Sequence, residues 1–149
     1  MNTKKSIEEF LGEKIIAVAG VSRNKNKFGT QIYKDLKKKG YRVYAVNPHM
    51  TEIAGEKCYN SLSELPEKPG GVVVCVNKNT SYDLSVEAFN SGIHSIWFQS
   101  GAESETALEF CKNNNMNVIH NECVLMFAEP DGFHKFHRWV NGVFGKLPA

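Results

Sequence analysis

The fold is decided by "KIIAVAGVSRNKNKFGTQIYKDLKKKGYRVYAV", residues 14–46. It opens on Ile15 to Ala19, an apolar run without alternation, which reads as a strand buried on both faces. A loop bounded by Gly20 and Gly29 follows. Ile32, Tyr33 and Leu36 then recur at helical spacing while the intervening lysines face water. Gly40 ends that helix, and a second strand begins near 42. A strand apolar on both faces that passes through a helix to a second strand suits a parallel sheet covered by helices, so the stretch reads as a βαβ unit.

The same junction recurs further on. "FNSGIHSIWF" and "NNNMNVIHN" each place Gly or Asn before a β-branched run, a helix end feeding a strand. Strands are expected near 14–20, 42–46, 71–76, 94–98 and 117–120, with "GGVVVCV" again apolar on both faces. In "TSYDLSVEAFNSG", Thr80 and Asp83 have capping-box spacing and Gly92 closes the helix. An N-terminal helix is expected over about residues 4–12, with Ser6 and Glu9 at the same spacing. "YNSLSELPEKPGG" is too rich in Pro and Gly for a long helix, which predicts a short or irregular crossover. The expected class is α/β: a Rossmann-like doubly wound sheet of about five parallel strands with flanking helices. At 149 residues and 42% hydrophobic content, residues 1–149 are read as a single domain.

Composition narrows the function. A net charge of +2, from 18 Lys plus Arg against 16 Asp plus Glu, gives no general field for nucleic acid, so any anion site must be local. Cys58, Cys75, Cys111 and Cys123 form no C-x-x-C pair, which fits a reduced, cytoplasmic setting. No run of 18 apolar residues exists to span a membrane.

In this architecture ligands bind beyond the carboxyl ends of the strands, which directs attention to "GVSRNKNKFG". Gly20 allows a tight turn, Ser22 offers a hydroxyl, and Gly29 permits close approach at a helix N-terminus that favours anions. Arg23, Lys25 and Lys27 add charge to the same loop. Its bland alternative is a turn with solvated lysines. An NAD site would place an acid at the end of the second strand for the ribose hydroxyls. Here the chain reads "YAVNPHMTE", with Asn47 and Pro48 in that place and His49 as the nearby base, so the ribose pocket is expected to be free of acid. Asn47 and Pro48 equally suit an ordinary turn.

Together, "IAVAGVSRNKNKFG", "GYRVYAVNP", "IAGEKCYNSLSELPEKPGGVVVCV", "EAFNSGIHSIWFQSGAES" and "NVIHNEC" closely resemble the small CoA-binding domain proteins. They are also similar to the N-terminal domain of the succinyl-CoA synthetase alpha subunit and of ADP-forming acyl-CoA ligases. The resemblance runs from about residue 13 to about residue 125. It implies that coenzyme A, or an acyl-CoA, is the ligand. By position it places the phosphates on Gly20, Val21, Ser22, Arg23, Lys27, Phe28 and Gly29. The adenosine part falls to Asn47 and Pro48, then Val76, Asn77 and Lys78. Small family members often carry an Arg pair or a Pro after the third strand, where this chain has "VNKN" and Lys78 is its cation. The synthetases hold their phosphorylated histidine on a second domain, which this chain is too short to include, so the resemblance implies binding and not turnover.

Other residues offer candidate chemistry. Cys123 follows the last strand, where a helix start after Asn121 would favour a thiolate; a structural cysteine is the alternative. His134 and His137 lie one turn apart in an amphipathic helix expected over about 131–145, and would begin a metal site only with further ligands. The stripe of Phe133, Phe136, Trp139, Val140, Val143 and Phe144 in that helix would pack on its own sheet or form a homodimer interface. No nucleic-acid or membrane surface is expected. The leading expectation is a CoA- or acyl-CoA-binding carrier, sensor or regulatory module. Its alternative is a nucleotide-dependent enzyme, an oxidoreductase or CoA transferase component, that uses Cys123 or a histidine.

Overall fold

A computed structural model describes residues 3–22, 28–99 and 101–126. The chain order is α1 (Lys4–Leu11), β1 (Ile15–Ala19), α2 (Phe28–Lys38), β2 (Arg42–Val46), β3 (Glu52–Ile53), β4 (Glu56–Tyr59), β5 (Gly71–Val74), α3 (Lys78–Asn90), β6 (Ser95–Phe98), α4 (Glu105–Asn113) and β7 (Asn117–Ile119). The strands form one sheet in the order β3-β4-β2-β1-β5-β6-β7. All neighbours pair in parallel except β3 with β4. The class is the α/β sheet that the apolar runs imply.

Both faces of the sheet are covered, and that explains the missing alternation in the strands. Ile16, Val18, Val73, Trp97 and Ile119 pack on one face with Ile7, Phe10, Ile32, Tyr33 and Leu36 of α1 and α2. Ala17, Ala19, Val72, Val74, Ile96 and Phe98 pack on the other with Ala88, Ala107 and Cys111 of α3 and α4. Neighbouring residues of one strand therefore serve two cores, and β5 and β6 are buried along their whole length. Phe10 meets Trp97 edge to face at 5.3 Å, in space left by Gly71, where a Cβ would stand 2.6 Å from the Phe10 ring.

Residues 60–70 hold only a 3-10 turn, Leu62–Glu64, in line with the irregular crossover expected there. Ahead of it the chain adds a hairpin, β3 and β4, to the five strands expected, turned through Ala54 (φ 51°) and Gly55 (φ 79°). Two consecutive positive φ angles define the mirror-image turn that matches strand twist. The cap of α1 is Thr3, whose hydroxyl accepts from Ser6 N at 3.0 Å; Ser6 lies inside the first turn. The cap of α3 is Asn77, whose Oδ1 accepts from Asn79 N at 2.9 Å, so the helix starts before Thr80. In both cases an acceptor lay upstream, and the helix extended to it.

Candidate functional site

β1 leads outward to β2, whereas β5 returns to the other side of β1, so the order reverses between β1 and β5. The loops that leave these strands diverge there and open a crevice. Its volume is about 440 Å³, and its wall includes Gly20, Asn47, Pro48, His49, Val76 and Thr80.

The α2 side is shaped by glycine. Gly20 has φ +108°, and a Cβ there would lie 2.7 Å from the backbone carbon and oxygen of Cys75. A Cβ on Gly29 would lie 2.5 Å from the Gly20 carbonyl oxygen. The first turn of α2 is thus pressed against the β1 turn, so a helix start adjoins Gly20 of the crevice wall. Thr30, only 3% exposed, fixes the joint. Its Oγ1 accepts from Ser22 N at 2.9 Å and donates to Ser22 O at 2.6 Å. Both backbone groups of Ser22 are held by one side chain on α2, so residues 22 and 30 form the base of the loop. No sequence pattern singles out Thr30; its one signal is a hydroxyl in the first turn of α2, ahead of the apolar positions Ile32, Tyr33 and Leu36.

The β2 side is held by Asn47. Its Nδ2 donates to Val21 O at 2.6 Å, and its Oδ1 accepts from His49 N at 2.8 Å. Asn47 N donates to Tyr59 O at 2.8 Å, and Asn60 Nδ2 donates to Asn47 O at 3.1 Å. The residue ties the β1 loop, the β2 turn and β4 together. Of the two sequence readings, the turn accounts for these hydrogen bonds, while Asn47 also borders the crevice.

Of the sequence candidates, Gly20, Asn47, Pro48 and Val76 line the crevice. Val21 is buried beneath it and Ser22 and Gly29 form its α2 shoulder. Phe28, 53% exposed, begins α2. Asn77 caps α3, and Lys78 is that helix's exposed first residue. Arg23, Lys25 and Lys27 lie outside the described residues, as do His134, His137 and the stripe from Phe133 to Phe144.

The expectation of an acid-free pocket is corrected. Thr80, Asp83, Leu84 and Glu87 form one stripe of α3 along the crevice, so two carboxylates reach it from across the sheet. Glu87 Oε1 accepts from Leu62 N at 2.5 Å. The i, i+3, i+4, i+7 spacing was present in the sequence. Only its first pair, Thr80 and Asp83, carries a capping-box signal in sequence.

Two cysteines approach from behind. Gln99 donates its backbone N–H to Val74 O at 3.0 Å, its Nε2 to Cys123 Sγ at 3.5 Å, and accepts from Val124 N through Oε1 at 2.8 Å. Burial pushes the Cys75 thiol up to about 12, and nearby Cys123 adds to the rise. Within the described residues, the segment expected to be helical after Asn121 enters a 3-10 turn at Val124–Met126. Among the described residues no three His, Cys, Asp or Glu gather as metal ligands. No helix among them is long and apolar enough to cross a membrane.

A crevice at the reversal of a doubly wound sheet, built on a glycine turn and a helix start, defines a Rossmann-like α/β domain with its crevice at the switch point. Residues 14–129 match the family model of a CoA binding domain, and the chain belongs to that family. It is 26% identical to the alpha subunit of acetate–CoA ligase (ADP-forming) II of Pyrococcus furiosus, over 93% of this chain and 31% of that subunit. It is 28% identical to protein YneT of Bacillus subtilis, over 82% of this chain and 91% of that protein. Among solved structures, a conserved hypothetical protein of Pyrococcus furiosus superposes with a TM-score of 0.72 at 37% identity, covering 76% of this chain and 97% of that one. A dinucleotide-forming acetyl-coenzyme A synthetase of Candidatus Korarchaeum cryptofilum, in complex with phosphate and ADP, gives 0.64 at 26% identity, over 75% of this chain and 26% of that one. The chain thus spans about a third of the ligase subunit it matches.

Proposed function

We propose that this protein binds CoA or an acyl-CoA in the crevice between β1 and β5, as a cytoplasmic carrier, sensor or regulatory module without a reaction of its own. The observation that carries the reading is the meeting of Gly20, Gly29 and the N-terminus of α2 at the switch point, within the matched CoA-binding domain. The backbone N–H groups of α2 receive the pyrophosphate, the glycines let it approach, and the crevice beyond Gly20 receives the nucleoside. Arg23 and Lys27 supply charge from the loop that Ser22 and Thr30 close. Val76 offers apolar surface to the base, and Lys78 places a cation at the start of α3.

Thermal unfolding with CoA, NAD, NADP and ATP side by side tests the reading. A ligand at a hundred times its dissociation constant raises stability by about 2.7 kcal/mol. CoA should give the largest shift, and Arg23→Ala with Lys27→Ala should reduce it. An equal shift from NAD contradicts the assignment.

A further inference from the structure

The walls of the crevice differ in charge. Its β1 wall is Ala19 and Gly20, with Gly29 of α2 packed on Gly20 from outside. Its β2 and α3 walls bring Asn47 and His49 together with Asp83 and Glu87, and His49 is the one basic side chain among the described lining residues. The Asn47 amide is already committed to Val21 O, and the Glu87 carboxylate is held in place by Leu62 N. These walls therefore offer acceptors, which suit ribose hydroxyls and an exocyclic amino group and repel phosphate. Resting on the reading that CoA occupies the crevice, we propose that its β2 and α3 walls select an unphosphorylated nucleoside, so that the 3′-phosphate of CoA adds no affinity. Asp83 is the residue that sets this selectivity; it is exposed, so its replacement leaves the core untouched.

Calorimetric titration of CoA and of 3′-dephospho-CoA into the wild type and Asp83→Asn tests this. The wild type should bind dephospho-CoA at least as tightly as CoA. Asp83→Asn should shift the ratio of the two affinities toward CoA by about threefold, the effect of one partly solvated charge pair, and added salt should shrink that shift. CoA binding at least tenfold more tightly than dephospho-CoA in the wild type, or a ratio that Asp83→Asn leaves unmoved, overturns the inference while leaving the CoA reading intact. Failure of both ligands to bind overturns the CoA reading and this inference with it.

Discussion

At the scale of single residues, the site depends on side chains that hold backbone in place. Thr30 satisfies both the N–H and the C=O of Ser22 while buried. Thr30→Val keeps the shape and strands both groups, which should cost about 2 kcal/mol in urea unfolding and loosen the loop, whereas Thr30→Ser should restore most of it. Gly20→Ala should be harsher, about 3 kcal/mol, because a Cβ at φ +108° also meets the Cys75 carbonyl at 2.7 Å. Cys75 makes a pH prediction. Its folded pKa of about 12 lies above the ordinary 9.0, so folded and unfolded chains both hold the proton below pH 9. Between pH 9 and about 12 the unfolded chain releases it first, so stability falls as pH rises. Cys75→Ala should flatten that fall, as measured by urea unfolding of the two proteins across the window. The glycines were legible because only that residue suits tight turns before a helix. The roles of Thr30 and Asn47 were not, since a hydrogen bond between positions 21 and 47 leaves no local pattern.

At the scale of elements, the strands that no helix interrupts were the clearest. Buried β-branched runs such as Val72 to Val74 read the same in sequence and structure because both faces are covered. The β3–β4 hairpin was hidden because Ala54 occupies a left-handed position where Asn or Gly gives the usual signal. Ala54→Gly should stabilise the protein by about 1 kcal/mol by relieving that conformation, read as a raised unfolding midpoint at unchanged denaturant dependence. Ser6 and Thr80 carry the capping-box signal, yet the caps of α1 and α3 lie three residues upstream, at Thr3 and Asn77. The place of Asp83 and Glu87 at the crevice has no signal in the sequence. Their helix crosses over a strand distant from β2 in sequence, and only the assembled sheet brings the two to one crevice.

At the scale of the whole molecule, strand order creates the site. β1 lies between β2 and β5, so the glycine turn, the Asn47 turn and the start of α3 come to one edge although 57 residues separate Gly20 from Asn77 (77 minus 20). The alternation of strands and helices made a doubly wound sheet legible, and that architecture directs the site to the loop after β1. Which charges line it depended on packing. The most direct test is a CoA titration followed by the amide resonances of the labelled protein. Saturable shifts centred on Gly20, Asn47, Val76 and Thr80, with little change along the groove of about 380 Å³ between α4 and β7, are the predicted result. Shifts centred on Leu108, Met116 and Val118 of that groove, or no shifts at saturating CoA, would contradict the account.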